Sequence, residues 1–174
     1  MGCAVSKLRL CFARGGRLLA LGNGGSATDA MDIVADFVAA GHPALDLTQD
    51  SAIITALAND IGSEAIFSRQ VIAHGRAGDV LVVLTTSGSS ANVVEALAEA
   101  RRRGLATVAF AGYDGGRIAD ERLADHLVIT PSQHIPRIQE AQATAYHLLR
   151  AMVDQEAPPI PAAPAPPPER LLSS

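Results

Sequence analysis

Short apolar runs alternate with longer amphipathic stretches along most of this chain, and no other feature restricts the fold as strongly. The clearest run spans residues 79–84, where five aliphatic side chains follow one aspartate. A strand that is apolar on both faces is typical of a sheet covered by helices on both sides. Strands that alternate with helices pair in parallel, through right-handed crossovers.

The same alternation predicts five strands and six helical segments. The strands are predicted at residues 17–21, 44–47, 79–84, 106–111 and 126–129. The helices are predicted, from cap residues and glycines at their ends, at residues 26–39, 51–58, 63–73, 90–103, 115–124 and 136–153. We therefore predict an α/β fold, a three-layer sandwich around a doubly wound, five-stranded parallel sheet of the flavodoxin-like kind.

The chain is predicted to form one domain, residues 1–154, which is long enough to bury its own hydrophobic core. The remaining segment, residues 155–174, holds seven of the ten prolines and is otherwise rich in alanine. Such a composition cannot bury a core, so we predict a disordered tail there.

Charge and composition disfavour several kinds of partner. The net charge of −4 and the aromatic content of 3% argue against direct nucleic-acid binding. Cys3 and Cys11 make no disulfide framework, which predicts a cytoplasmic protein. No apolar run reaches the roughly 18 residues of a membrane helix. Residues 1–6 do fit the N-myristoylation pattern, but so short a pattern also occurs by chance.

The first glycine-rich loop, residues 22–26, lies between a predicted strand and a helix. Its glycines let backbone N–H groups approach a ligand, and the helix N-terminus favours an anion. Asn23 and Ser26 add hydrogen-bonding side chains. Two alternatives are a tight turn without a ligand and a dinucleotide fingerprint with a ribose-binding acid. The fingerprint would consist of Gly22, Gly24, Ala27 and Asp46.

A second loop, residues 85–90, carries five hydroxyl groups in six residues directly after the clearest strand. A simple capping turn needs only one hydroxyl. Hydroxyls and backbone N–H groups at a helix N-terminus can together surround a phosphate monoester. The loop has no P-loop lysine, and a dinucleotide fold does not explain it. We therefore predict a phosphate site and no nucleotide.

Two helices carry residues suited to acid–base chemistry. Asp32 and Asp36 are four residues apart, so they share a helix face. Gln139 and His147 are eight apart on the last predicted helix and share a face as well. If the two faces meet, carboxylates, an amide and an imidazole converge. The alternative is a solvated acidic face.

Several motifs follow one another in a fixed order across residues 17–153. They are Asn23-Gly24-Gly25-Ser26 with Asp29-Ala30, Asn59-Asp60, residues 85–90 with Ala91-Asn92-Val93, Gly112-Tyr113-Asp114-Gly115-Gly116, and Arg137-Ile138-Gln139-Glu140. Together they resemble the sugar isomerase (SIS) domain family, and most of all its phosphoheptose isomerase branch.

The resemblance implies a phosphosugar ligand and the conversion of sedoheptulose 7-phosphate into a heptose 7-phosphate. The phosphate would be held by Thr85, Thr86, Ser87 and Ser90. The rest of the substrate would be contacted by Asn23, Gly24, Gly25, Ser26, Asp60 and Gln139.

The resemblance also implies the catalytic pair. Proton transfer between C1 and C2 through an enediol needs a base and an acid, here Asp36 and His147. Some members of the family bind zinc or another divalent metal, at positions that correspond to Asp32, Asp36, Gln139 and His147. The chain departs from the family pattern, because Asp32 replaces a histidine, Asp36 replaces a longer glutamate, and Gln142 stands where another histidine is frequent.

Two further expectations come from the resemblance. Family members form homotetramers whose sites are shared between subunits, so a homotetramer is expected. The branch also includes a replication-initiation regulator, which leaves a second hypothesis: a sugar-phosphate-binding regulatory protein without catalysis.

Overall fold

The computed structural model describes residues 1–155, which form five strands, seven α-helices and one 3₁₀ turn. The strands are β1 (Leu18–Gly22), β2 (Ala44–Asp46), β3 (Val80–Leu84), β4 (Ala106–Gly112) and β5 (His126–Thr130). The helices are α1 (Gly2–Ala13), α2 (Gly25–Ala39), α3 (Ser51–Asp60), α4 (Ile66–His74), α5 (Ala91–Arg102), α6 (Gly116–Asp120) and α7 (Ile135–Asp154).

All five strands run parallel in one sheet, in the order β2-β1-β3-β4-β5. The chain first builds outward from β1 to β2, then crosses back to β3 and continues to β5 on the other side. The direction of winding therefore reverses between β1 and β3, which is where open α/β sheets form their ligand crevice. The predicted fold class is confirmed.

Both faces of the sheet are covered, as the apolar runs predicted. All five residues of β3 are buried. Val80, Val82 and Leu84 pack in one cluster with residues of α1, α2 and α7. Leu81 and Val83 face the opposite side, into a cluster with residues of α4, α5 and α6. The first of these clusters holds α2 and α7 together on one face of the sheet.

The N-terminal helix α1 was not predicted from the sequence. Its apolar residues lie on several sides, and no side chain caps its start, so it has no clear helical signature. Val5 and Leu8 are buried, whereas Leu10 is exposed. Arg9 fastens α1 to the end of α7, because its guanidinium donates to the carbonyl oxygens of Met152 and Val153, at 2.6 and 3.0 Å.

Several predicted helix boundaries shift by a few residues. The segment predicted at residues 63–73 begins with a 3₁₀ turn (Ser63–Ala65) before α4, and α6 is shorter than predicted. Within residues 1–155, no helix combines the length and apolarity that a bilayer crossing requires. The predicted disordered tail lies outside the described residues from residue 156 onward.

Candidate active site

The loops that follow β1 and β3 meet at the carboxyl edge of the sheet, where the sequence predicted a ligand site. Gly22 and Leu84, the last residues of the two strands, are paired in the sheet, so both loops start at the same level. Asn23 and Asn92 join the first loop to the start of α5. Each amide nitrogen donates to the other residue's amide oxygen, and both hydrogen bonds are 2.9 Å long.

The phosphate loop, residues 85–90, folds partly on its own hydroxyl groups. The N–H of Gly88 donates to Oγ1 of Thr85 at 3.2 Å, and the N–H of Ser89 donates to Oγ of Ser87 at 3.3 Å. Thr85 is buried, and Ser87 is exposed. The Thr85 hydroxyl therefore shapes the loop from below, while Ser87 is open to a ligand.

The half-buried end of the phosphate loop meets the N-terminus of α5. Ser90 is the N-cap residue of that helix, yet its side chain makes no capping hydrogen bond. Thr86 is half-buried as well. Helix N-terminal N–H groups attract anions, so the Ser90 hydroxyl lies at the electropositive end of the loop. This arrangement suits the predicted phosphate contact.

The phosphate loop is braced by the loop after β4, residues 112–116. The N–H of Gly112 donates to the carbonyl oxygen of Thr86 at 2.9 Å. Gly88 and Gly116 both have positive φ angles, +65° and +50°. A Cβ atom at Gly88 would overlap the carbonyl of Gly115, and one at Gly116 would overlap the carbonyl of Ser87. The two loops can therefore touch only because glycine stands at these two positions.

Gln142 on α7 fastens the base of the phosphate loop, a role that the sequence analysis missed. Its side chain is buried, and Nε2 donates to the carbonyl oxygen of Thr85 at 2.9 Å. Its Oε1 is buried without a partner among the described residues. The spacing of Gln142 from Gln139 could have indicated that Gln142 also points toward the site, since residues three apart share a helix face. Gln142 therefore fixes the position of the phosphate loop relative to α7.

Gln139 lies one turn earlier on α7, against the first loop. Its amide packs on Gly25, where a Cβ atom would overlap Nε2. Nε2 also donates to a carboxylate oxygen of Asp29, at 3.4 Å. Burial raises the pKa of Asp29, the Gln139 hydrogen bond lowers it, and the charge of Asp32 raises it again, with a net upward shift. Gln139 thus joins α7 to the start of α2.

Two carboxylates of α2 and one imidazole of α7 come together, so the two helix faces do meet at these three residues. Nδ1 of His147 lies 3.0 Å from Oδ2 of Asp36, and Nε2 lies 3.2 Å from Oδ2 of Asp32. The side chains of Asp32 and His147 are about half exposed, whereas Asp36 is 25% exposed. The imidazole therefore stands between the carboxylates, with one ring nitrogen directed at each.

Tyr146 and Arg150 of α7 complete this group, which we call the α2–α7 cluster. The hydroxyl of Tyr146 donates to Oδ2 of Asp32 at 2.6 Å, and Nε of Arg150 lies 3.5 Å from Oδ1 of Asp36. Burial, the Asp32 hydrogen bond and the nearby aspartates raise the pKa of Tyr146, so its hydroxyl remains a donor. Neither Tyr146 nor Arg150 was predicted from the sequence to have a role.

The arrangement of the α2–α7 cluster does not present its donors to a single point. Both nitrogens of His147 already face carboxylates, and Gln139 is directed at Asp29. Among residues 1–155, no group of three or more His, Cys, Asp or Glu is arranged to hold a metal ion. A metal bound by Asp32, Asp36, Gln139 and His147 would require the imidazole to turn. The metal remains a prediction, tested by elemental analysis: one ion per chain, lost in His147→Ala.

Asp60 is not brought to the other predicted site residues. It ends α3, is exposed, and accepts a hydrogen bond from its neighbour Asn59 at 2.8 Å. No residue of α3 is buried in the described chain. The predicted contact between Asp60 and the sugar stays a prediction.

A separate cavity, with a volume of about 500 Å³, opens beside the end of β2. It is lined in part by Asp46, the acid of the dinucleotide alternative. Oδ1 of Asp46 accepts hydrogen bonds from N and Oγ1 of Thr48, at 2.7 and 2.6 Å. The carboxylate of Asp46 thus stabilises the turn after β2. The residues of the candidate site do not line this cavity.

Comparisons with known proteins agree with this geometry. Residues 2–112 match the SIS domain family. The chain is 45% identical over 150 residues to a phosphoheptose isomerase of Roseiflexus sp. (strain RS-1), with coverage of 83% of this chain and 75% of the relative. It is 47% identical over 154 residues to a phosphoheptose isomerase of Desulfovibrio desulfuricans, with coverage of 85% and 72%. The solved structure of phosphoheptose isomerase GmhA from Neisseria gonorrhoeae superposes with a TM-score of 0.83 at 40% identity, over 87% of this chain and 83% of that one.

Proposed function

Because the chain belongs to the SIS domain family and matches its phosphoheptose isomerases over most of its length, we propose that it interconverts sedoheptulose 7-phosphate and a heptose 7-phosphate. The observation that carries the proposal is the 3.0 Å contact between Asp36 and His147, on the two helices that also bear Ser26 and Gln142. Helix α7 connects this pair with the phosphate loop, since Gln142 holds the loop and His147 belongs to the pair.

The phosphate would be the anchor of the substrate. Thr86, Ser87 and Ser90 offer hydroxyl donors, and the N-terminus of α5 adds backbone N–H groups and a favourable dipole. Thr85 and Gln142 support this loop from beneath. Anchoring the phosphate end fixes where the reacting carbons lie, and correct placement supplies much of an enzyme's rate.

At the other end of the sugar, the substrate would enter between Asp36 and Nδ1 of His147, which touch in the free protein. Asp36 would then remove a proton from C1 of the ketose while Nδ1 of His147 gives one to O2. The product of that half-reaction is an enediol. His147 then takes the proton of O1, and Asp36 returns its proton to C2, which leaves the aldose. Each residue ends in its starting protonation state. General acid–base catalysis of this kind typically contributes about 10²–10⁴-fold in rate.

The departure at Asp36 does not break the pair in this chain. Although aspartate is one methylene shorter than glutamate, its carboxylate still reaches Nδ1 of His147 at hydrogen-bonding distance. Arg150 lies on the other oxygen of that carboxylate. Asp36 and His147 therefore contact each other in the free protein despite the shorter side chain.

A regulatory sugar-phosphate-binding protein is the second candidate. Relatives at 40 to 48% identity that carry the name phosphoheptose isomerase favour catalysis over that candidate. The sugar isomerase domain of a transcription factor from Sphaerobacter thermophilus superposes with a TM-score of 0.62 at 20% identity, which shows a shared fold only.

Turnover of sedoheptulose 7-phosphate by the full chain tests the proposal, with and without added zinc. We expect aldose formation by the wild type and a loss of at least about 10²-fold in kcat for His147→Ala. His74→Ala is the matched control, since His74 lines the separate cavity beside β2, and it should keep wild-type turnover. Phosphosugar binding without turnover by the wild type would favour the regulatory candidate.

Assembly and location belong to the same proposal. We propose a homotetramer that works in the cytoplasm, as the family resemblance implies. Met31 and Val38 of α2 and Leu148 of α7 are each more than half exposed, which suits a subunit contact on this side of the fold. A partner subunit there could also bring Asp60 to a site. Light scattering of the purified chain would give the oligomeric state directly.

A further inference from the structure

Tyr146 links the buried core to the most exposed carboxylate of the α2–α7 cluster. The residue itself is only 1% exposed. Its hydroxyl nevertheless reaches Oδ2 of Asp32, whose side chain is 52% exposed, at 2.6 Å. A surface aspartate normally moves among several rotamers, and a buried donor restricts it to one.

The oxygen that Tyr146 holds is the same oxygen that faces the imidazole. Nε2 of His147 lies 3.2 Å from Oδ2 of Asp32. The rings of Tyr146 and His147 also pack against each other, with centroids 4.7 Å apart and an interplanar angle of 53°. Tyr146 therefore touches the imidazole and also fixes the group that Nε2 faces.

We propose that Tyr146 is a positioning residue of the active site, which holds Asp32 on Nε2 of His147 and thereby keeps Nδ1 directed at Asp36. The inference rests on the proposed isomerase function for its catalytic consequence. Its geometric content, a Tyr146–Asp32–His147 arrangement, stands on the contacts alone.

The choice of partner argues against a purely structural role. A buried tyrosine hydroxyl needs one acceptor, and a backbone carbonyl of a neighbouring helix would suffice. Here the acceptor is a side chain that has no burial of its own to gain and that contacts the proposed acid. Asp32 stands where the family has a histidine. The hydroxyl of Tyr146 therefore holds a residue at which this chain departs from the family pattern.

A double-mutant cycle tests the proposal in the full chain. Tyr146→Phe keeps the ring and removes only the hydroxyl, and Asp32→Asn removes the charge that the hydroxyl holds. We expect Tyr146→Phe to lower kcat about tenfold with KM within about twofold, because one hydrogen bond to a charged group is lost. The double variant should lose no more than Asp32→Asn alone, since Tyr146 acts through Asp32.

Thr144→Val is the matched control, because it removes a hydroxyl of the same helix that bonds only to the carbonyl of Glu140. It should leave kcat unchanged. Multiplicative losses in the double variant, or wild-type kcat in Tyr146→Phe, would overturn the proposal.

A second readout separates this inference from the proposed function. The ¹⁵N shift of His147 Nε2 should move in Tyr146→Phe and in Asp32→Asn, and move no further in the double variant. If the wild type shows no turnover, the isomerase proposal fails, and these shifts alone test the role of Tyr146. An unchanged His147 Nε2 shift in Tyr146→Phe would then contradict that role. If Tyr146→Phe does not fold, the Tyr146 Cζ resonance must move in Asp32→Asn, and an unmoved resonance overturns the proposal.

Discussion

The phosphate loop and the α2–α7 cluster both contact α7 but are built in opposite ways. The loop is held by backbone contacts, by two tightly packed glycines and by the buried Gln142. The cluster is held by side chains, of which Asp32 and His147 are about half exposed. The shape of the proposed binding loop therefore depends on the path of the main chain, whereas the proposed catalysis depends on a few side chains. The two activities should be separable by mutation.

The largest expected effect comes from breaking the loop. Gly88→Ala would push a methyl group into the carbonyl of Gly115 at a positive φ, where the neighbouring atoms are backbone and cannot turn away. We expect a loss of roughly 3 kcal/mol or more in the free energy of unfolding and the loss of phosphosugar binding. Chemical denaturation and calorimetry with sedoheptulose 7-phosphate measure the two effects.

Gly41→Ala separates the clash from the backbone strain. Gly41 also has a positive φ, +86°, but a Cβ there would meet nothing within 4 Å. We expect only the strain cost, about 1–2 kcal/mol, and unchanged binding. Equal destabilisation by both variants would mean that the contact between the two loops contributes little.

The second effect concerns the cluster and should leave the loop intact. Asp36→Asn removes the proposed base with little change in shape, so kcat should fall by about 10²–10⁴-fold while the Kd for the phosphosugar stays within about threefold. Asp154→Asn is the control, because Asp154 contacts Arg150 and His42 but is not proposed to touch the substrate. A parallel loss of binding in Asp36→Asn would show that the two regions are not independent.

The smallest expected effect concerns Asp29, whose hydrogen bond with Gln139 joins α2 to α7. Its pKa is raised mainly by burial, so the native state favours the protonated carboxyl. The corresponding stability is present below the pKa of the unfolded chain and is lost as pH rises through the folded pKa. The wild type should therefore lose this stability between pH 3 and pH 7, whereas Asp29→Asn should not. The free energy of unfolding of Asp29→Asn relative to that of the wild type should rise over this range, by less than about 1 kcal/mol. Denaturation midpoints at the two pH values measure this, and a relative loss at pH 7 would contradict the assignment.

The sheet, its two covered faces and the residues that share a helix face could be predicted from the sequence, because each depends on regular periodicity. The apolar run at residues 79–84 predicts a fully buried strand, and β3 is one. The spacing of Asp32 with Asp36 and of Gln139 with His147 predicted that each pair shares a helix face, and left open whether the two faces meet. For the two aspartates and His147 they do, at about 3 Å.

What the sequence did not reveal depends on tertiary contacts between residues without a pattern of their own. Helix α1 has no cap and no single apolar stripe, and its place is set by packing on α7. Tyr146 and Gln142 are ordinary interior residues in sequence terms. Their importance comes from which oxygen each one meets, Oδ2 of Asp32 and the carbonyl of Thr85.

A crystal of the full chain soaked with sedoheptulose 7-phosphate tests the central claim most directly. We expect the phosphorus atom within the loop of residues 85–90, with hydroxyl or backbone N–H donors on its oxygens, and C1 and C2 between Asp36 and His147. A phosphate bound elsewhere, for example in the cavity beside Asp46, or a sugar whose C1 and C2 lie far from both residues, would contradict the account.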